Sequence, residues 1–508
     1  MARRLTVFVL VAILVLSAAT AAIIYYYENV YAKNPVKPIS VQELRIPKAI
    51  DTQKFGLFFY DDSGKRIRTT EKNVPFDDNK PTVIYTQGGK DDFPDSASWL
   101  DNGYNVGIFV WSQFLNDDPF SVEQKIWGVS QGMRYEIGNG KYESSDTVNY
   151  SLAEIFMAYY CDFFNGRDYK GSEIRIEGFS LGAQLVIASV NYLIALEENG
   201  YADKRLYPDR ITLFDGVFSN YSSSNYIKWL NREIGKDGAI KLVLDTVKSI
   251  RKKGTAVEYI RSSPVEIVSR MGSGDKQNFN RLINETCFFD YRSDWLSYND
   301  LDDLLDDSYG KHVAGRNWYY QMISYSPPLD TACASSVQYA LSPNTPTSYI
   351  FARCGAKYQM NINLTSDASD DVIYSVNCDV PFVAGFAFFD LNGNGINDER
   401  IAGRAQGIKV KLYMSQEGNE DKLIGATVTR ESGYYELPIE PIYINALHDQ
   451  GKEFYIKVDL SQGYAIASKN SENECLMMNN DINEDGCSNT FFIYTKRDLK
   501  IVNIGLKG

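Results

Sequence analysis

The sequence predicts an α/β fold, a mostly parallel sheet with helices on both faces, followed by a C-terminal all-β sandwich. Three observations carry this expectation. From about Gln53 to Ile323, short apolar runs alternate with helical patterns, as in a doubly wound sheet. The alternating run Ile174-Arg175-Ile176-Glu177 enters Gly178-Phe179-Ser180-Leu181-Gly182 and then an apolar helical stretch, which reads as strand, sharp turn and helix. Beyond Pro381 the helical period disappears and strand-like runs remain.

Taken in order, the chain opens with Arg3 and Arg4, an apolar run from Leu5 to Leu16, small residues Ala18-Ala19-Thr20-Ala21 and Tyr25-Tyr26-Tyr27. Residues 1–27 therefore read as a signal peptide or a membrane anchor. Either places the remainder outside the cytosol, secreted or tethered at the surface. Residues 50–325 form the expected α/β domain. Its strands are Phe55–Tyr60, Thr82–Thr86, Asn105–Trp111, Glu173–Glu177, Arg210–Phe214, Ala256–Ile260 and Thr286–Phe289. Helices are expected at Leu152–Phe164 and Ser180–Glu198. In 326–380, Pro327-Pro328, Pro343 and Pro346 break the pattern and three cysteines appear, so this segment reads as a Cys-containing connector. In 381–508, Gly385–Phe389, Ile408–Tyr413, Gly433–Leu437, Phe454–Val458 and Ile501–Leu506 read as strands of a sandwich.

A chain of 508 residues suits two or three domains. Its net charge of −13 excludes a nucleic-acid partner, which needs a concentrated basic surface. Seven cysteines fit an oxidising exterior, and the odd count leaves one over. Cys161, inside an apolar helical run, reads as a buried free thiol, and Cys475 with Cys487 is the favoured disulfide pair. Sequons stand at Asn149, Asn220, Asn284 and Asn363.

The Gly-x-Ser-x-Gly turn exposes Ser180 at the end of a strand and offers the Leu181 N–H to a developing oxyanion. A serine needs a base to take its proton and a carboxylate to orient that base. The chain has only two histidines, His312 and His448, so the candidates for the base are nearly fixed by composition. Two isolated histidines make no familiar zinc site, and no cofactor is expected for catalysis.

The block Ile174–Ala183 resembles the α/β-hydrolase superfamily, and Gly-Phe-Ser-Leu-Gly-Ala is similar to the corresponding run of secreted lipases of the pancreatic-lipase type. In those lipases the acid follows the next strand, which implies Asp215 after Arg210–Phe214. Asp275 and Asp290 are the rivals. The family histidine precedes paired tyrosines, which implies His312 ahead of Tyr319-Tyr320. Its second oxyanion donor lies in a loop beginning His-Gly. This chain has Gln87-Gly88-Gly89 there, and Gly88 or Gln87 would supply the N–H. The resemblance implies an ester or lipid substrate. Acidic residues Asp300, Asp302, Asp303, Asp306 and Asp307 alternate with leucines and read as the solvent face of an amphipathic helix.

In the C-terminal module, Asp390-Leu391-Asn392-Gly393-Asn394-Gly395-Ile396-Asn397-Asp398 repeats oxygen ligands on alternate residues around a glycine turn, the arrangement a Ca²⁺ loop uses. Asp390, Asn392, Asn394, the Ile396 carbonyl and Asp398 are the expected ligands. The surrounding stretch resembles the B-type repeats of bacterial serine-aspartate-repeat adhesins. That resemblance implies a further ligand at Asp481, although Ile401 replaces the glutamate expected twelfth in the loop. The combined expectation is an extracellular serine ester hydrolase with a structural calcium module acting as spacer or adhesive, in possible association with a cell surface or membrane. The alternatives are a surface-binding protein with an inactive hydrolase-like domain, and an acyl transferase.

Overall fold

The computed structural model describes residues 36–44, 46–47, 50, 54–89, 96–129, 133–138, 140–145, 149–263, 272–291, 308–325, 341–361, 372–375, 381–397, 399–416, 418–443, 452–469, 479–493 and 498–507. The N-terminal segment 1–27, the acidic stretch 300–307, His448 and Asp398 lie outside the described residues. So do Cys333, Cys378, Cys475 and Asn363. Among the described residues, no helix is long and apolar enough to cross a membrane.

The first domain contains β1 (Gly56–Tyr60), β2 (Arg66–Arg68), β3 (Thr82–Thr86), β4 (Asn105–Val110), β5 (Met133–Gly138), β6 (Lys141–Ser145) and β7 (Ile174–Phe179). It continues with β8 (Arg210–Phe214), β9 (Ser223–Ile227), β10 (Arg232–Gly235), β11 (Ala256–Arg261), β12 (Cys287–Asp290), β13 (Lys357–Asn361) and β14 (Val372–Ser375). Ten of these form one sheet in the order β14-β13-β12-β11-β8-β7-β3-β4-β1-β2, with β5–β6 and β9–β10 as separate hairpins. Strands β4, β3, β7, β8, β11, β12 and β13 run parallel. The edges β1, β2 and β14 are antiparallel. From β3 the chain steps to β4 on one side, then returns to lay β7 on the other. That reversal makes the carboxyl ends of β3 and β7 the topological switch point, the position at which open α/β sheets bind ligands.

Alternate side chains along each strand enter opposite cores. Ile84, Ile176, Ile211, Leu213 and Tyr259 pack beneath the helices Leu152–Phe164, Leu181–Glu198 and Gly238–Lys253. Val83, Tyr85, Phe179, Phe214 and Ile260 pack on the other face, with Trp99, Trp318, Tyr319 and Tyr349. Helices therefore cover both faces, as the near-continuous apolar strands require. Cys161 is a buried free thiol, and burial pushes its pKa up to about 12. Cys354 and Cys487 form no disulfide with another described cysteine.

The connector expected at 326–380 contributes to this sheet. Lys357–Asn361 pairs with β12 and Val372–Ser375 with β13, and Thr347–Ala352 is a short helix. The fully buried Arg210 holds the preceding segment in place. It pairs bidentately with Glu258 at 2.8 Å for each bond and donates to the carbonyls of Thr345 (2.6 Å) and Ser342 (2.8 Å). Arg175 adds a bond to the Pro343 carbonyl at 2.6 Å. Proline-rich sequence hid a segment whose backbone acceptors are claimed by two buried arginines.

The C-terminal module is a sandwich of β15 (Phe382–Asp390), β16 (Lys409–Met414), β17 (Lys422–Val428), β18 (Tyr434–Pro438), β19 (Lys452–Val458), β20 (Phe491–Ile493), β21 (Leu499–Ile501) and β22 (Ile504–Lys507). One sheet orders β18-β15-β21 with β22 also on β15, and the other orders β17-β16-β19-β20. Their inner faces share a core of Val383, Val410, Leu412, Phe454, Ile456 and Ile504. The single strand expected at Ile501–Leu506 is interrupted at Asn503. That residue turns aside to accept from Phe386 N (3.0 Å) and donate its own N–H to Asp481 (2.7 Å). β17 escaped sequence reading because its largely exposed residues show no clean alternation.

The module is docked on the α/β domain. Arg400, 4% exposed and at φ +55°, donates to Asp209 Oδ2 at 2.6 Å and to the carbonyls of Tyr207 (2.6 Å) and Arg205 (3.1 Å). Phe351 from the α/β domain packs with Phe386 and Tyr434 of the module, at centroid distances of 5.0 and 4.8 Å. Removing the Arg400 guanidinium strands a buried carboxylate. Arg400→Ala is therefore expected to lower unfolding free energy by about 3 kcal/mol, read from urea unfolding. An unchanged midpoint would show that the clasp contributes no stability.

Candidate active site

Parallel register brings the sequence-predicted residues onto one rung. Thr86 stands opposite Gly178 and Phe179 opposite Phe214, so β7 and β8 end on one rung and deliver Ser180 and Asp215 side by side, while β3 ends one rung earlier and reaches Gly88 through Gln87. Ser180 adopts φ +55° and ψ −120°, and Asp215 adopts φ +44°. Both lie in a region that L-residues avoid. The turns are held by Ser180 N donating to Phe214 O (2.9 Å), Val217 N to Ser180 O (3.2 Å) and Asp215 N to Ile260 O (2.7 Å). The Leu181–Glu198 helix begins at the next residue, so the Leu181 N–H belongs to the first turn, whose donors have no acceptor within the helix.

Two glycines permit this crowding. A Cβ on Gly88 would lie 2.1 Å from Phe179 O and 2.4 Å from Ser180 Cβ, and one on Gly182 would lie 2.3 Å from Thr86 O. The Gly88 backbone is thus pressed against the serine. Gln87, fully buried, braces that loop. Its side-chain amide donates to Ser112 Oγ (2.6 Å) and Gly89 O (3.1 Å), while its backbone carbonyl accepts from the Trp111 indole (3.0 Å).

His312 lies on the Ser308–Gln321 helix. Its Nδ1 is 2.5 Å from Asp215 Oδ2, which leaves Nε2 as the ring nitrogen for proton exchange. The ring also packs against Phe179, with centroids 4.5 Å apart. Asp215 is 1% exposed. Its Oδ1 accepts from Ser262 N (3.0 Å) and Ser263 N (3.2 Å), and its Oδ2 accepts from the Ser263 hydroxyl. Sequence reading missed both serines. The available signal was hydroxyl residues immediately after β11, the strand next to β8.

The rival acids are engaged elsewhere. Asp275 caps Gln277 N (2.9 Å) and pairs with Arg281 (2.7 Å). Asp290 pairs bidentately with Arg261 at 3.0 and 2.8 Å. One further carboxyl lies close to the serine in sequence and deep in the sheet. Glu177 is fully buried on β7, its Oε2 accepts from Tyr320 OH at 2.6 Å, and its Oε1 has no hydrogen-bond partner among the described residues. Burial pushes its pKa up to about 7.

In the C-terminal module, Asp390 Oδ1 accepts from Gly393 N (2.8 Å) and Asn394 N (3.1 Å), and its Oδ2 accepts from Gly395 N (2.9 Å). Asn392 and Asn394 close similar turns onto the N–H groups of Asn394 and Ile396. An antiparallel bridge joins Ile396 to Asn479, two residues before Asp481. Burial pushes the pKa of Asp481 up to about 6. The described acidic side chains do not form a cluster of three.

No protein-family model and no characterised protein matches the chain. Among solved structures it is similar to a putative carboxylesterase from Lactobacillus plantarum, at 12% identity over 52% of this chain and 91% of that one, with TM-score 0.27. It is similar to a phospholipase from Legionella pneumophila at 8% identity over 84% and 94%, with TM-score 0.25. An esterase from Lactobacillus rhamnosis aligns at 12% identity over 56% and 82%, with TM-score 0.23. Several other solved structures are matched over less than half of their own length.

The Glu177 shift has a definite sign. The unfolded carboxyl ionises near 4.5 and the folded one near 7, so stability falls as pH rises between these values. Glu177→Gln removes that loss. Its stability relative to wild type is expected to improve by on the order of 2 kcal/mol between pH 5 and pH 8. Parallel urea curves at the two pH values, with no change in the difference, would contradict the assignment.

Proposed function

We propose that the chain is an extracellular serine ester hydrolase of the lipase or esterase type. The observation that carries this reading is the Asp215–His312 hydrogen bond beside a strained serine elbow. Ser180 Oγ attacks the acyl carbonyl while His312 Nε2 takes its proton, and buried Asp215 steadies the imidazolium. The Leu181 and Gly88 N–H groups receive the oxyanion charge. As the tetrahedral intermediate collapses, His312 returns the proton to the departing alcohol. Water, deprotonated by the same histidine, then releases the acid from Ser180. The extracellular assignment rests on the N-terminal apolar segment, and an ester or lipid substrate on the sequence resemblance. Holding both Ser180 and Asp215 at positive φ favours an active hydrolase over an inactive, adhesive descendant. Strain of this kind persists where function requires it.

A fluorophosphonate probe tests the proposal directly. Wild-type protein is expected to be labelled, Ser180→Ala not at all, and His312→Ala at least about 10³-fold more slowly. Absence of label on folded wild type would refute the hydrolase reading.

We also infer that the Asp390 loop, with Asp481, holds a structural Ca²⁺. The loop wraps its oxygens around a tight turn, and Asp390 Oδ2, which accepts one N–H bond from Gly395, keeps a lone pair for the ion. Asp481 is a half-buried carboxyl whose ionisation a cation would favour. Asp390, Asn392, Asn394, the Ile396 carbonyl, Asp398 and Asp481 would share the ion, which stiffens the loop leading to Arg400. Ca²⁺ is expected to raise the melting temperature over that in chelator, and Asp390→Ala to abolish the difference. Identical melting with and without Ca²⁺ would dismiss the site.

A further inference from the structure

One buried carboxylate outside the Asp215–His312 pair touches the supports of both turns. Glu123 belongs to the Pro119–Trp127 helix and is 4% exposed. Its Oε2 accepts from the Gln184 amide at 2.8 Å and from Ser219 N at 3.0 Å, and its Oε1 accepts from the Ser219 hydroxyl. All three donors are neutral. A buried carboxylate without a cation is costly, and burial raises its pKa. An apolar side chain would fill the same space without that cost, so packing alone does not account for a carboxylate here.

The positions of the donors are informative. Gln184 is the fourth residue after Ser180, one turn along the helix that the serine opens. Ser219 is the fourth residue after Asp215, on the loop that carries the acid away from the sheet. Ser219 is pinned from behind as well, because its carbonyl accepts Ile240 N at 3.0 Å. Glu123 therefore joins the serine helix to the acid loop through one rigid group.

We propose that Glu123 is a positioning residue that sets the spacing between Ser180 and the Asp215–His312 pair through its bonds to Gln184 and Ser219. The inference rests on the hydrolase reading above. It makes the Pro119–Trp127 helix a third support of the site, although that helix supplies no reacting group. The requirement is for two acceptor or donor positions in a fixed plane, which a glutamine also meets. A glutamine oxygen in place of Oε2 accepts from Gln184 and Ser219 N, while its NH₂ donates to Ser219 Oγ.

The test measures fluorophosphonate labelling and p-nitrophenyl acetate hydrolysis on the full chain. Glu123→Ala is expected to lower kcat and the labelling rate at least about tenfold with KM changed less than threefold, since the loss falls on alignment rather than binding. Glu123→Gln is expected to restore both rates to within threefold of wild type. Gln184→Met, which removes the Gln184 bond, and Ser219→Ala, which removes the hydroxyl bond and keeps the backbone N–H bond, are expected to combine less than additively because they share Glu123. Should Glu123→Ala fail to fold, this pair and Glu123→Gln decide the matter. Wild-type rates in Glu123→Ala, equal impairment in Glu123→Gln, or strict additivity of the two arms would each overturn the inference. A wild type that labels while these results go the wrong way leaves the hydrolase reading standing. A wild type that does not label defeats that reading itself.

Discussion

The site depends on the register of a parallel sheet. The neighbouring parallel strands β7 and β8 end on the same rung and deliver their next residues, Ser180 and Asp215, to one place, with Gly88 two residues beyond the end of β3. A one-residue slip would reverse every side chain on the displaced strand. The two apolar cores oppose that slip, because β7 and β8 place isoleucines and leucine on one face and Phe179 and Phe214 on the other. Packing that fixes the fold also aligns the serine with the carboxylate.

The opposite end of the same strands is secured by charge. Asp209 precedes β8, accepts from Ile174 N at 2.8 Å and receives Arg400 from the C-terminal module. Arg210 begins β8 and carries the ion pair with Glu258 that captures the segment before β13. β8 is thus fastened at its start by buried arginine chemistry and carries Asp215 at its finish. The C-terminal sandwich is therefore part of the body of the protein rather than a spacer behind it.

Sequence alone made the elbow, the acid and the histidine legible, for different reasons. Ser180 is marked by a local pattern of strand, glycine turn and helix. His312 stands out by scarcity, and Asp215 by its place after the next strand. Each signal lies within a few residues or in the composition. Ser263 and Glu123 were missed because their contacts arise across the fold, 48 residues apart for Ser263 with Asp215 and 96 for Ser219 with Glu123. β14 was missed because an edge strand carries a weaker apolar signal than one buried on both faces, and β13 because Lys357, Gln359 and Asn361 interrupt its apolar run. Arg400 sits among polar loop residues, and nothing local distinguishes a buried arginine there from an exposed one.

The positive φ angles of Ser180 and Asp215 have a consequence for how such a chain can change. Glycine relaxes that backbone conformation at no steric cost, so the fold would be more comfortable with glycine at both positions. On the hydrolase reading proposed above, selection for stability alone would erode the elbow and the acid together, and only a demand on their side chains holds them. In this molecule robustness and chemistry pull the same two residues in opposite directions. The surrounding hydrogen bonds, which pin a conformation the backbone resists, record which demand has prevailed.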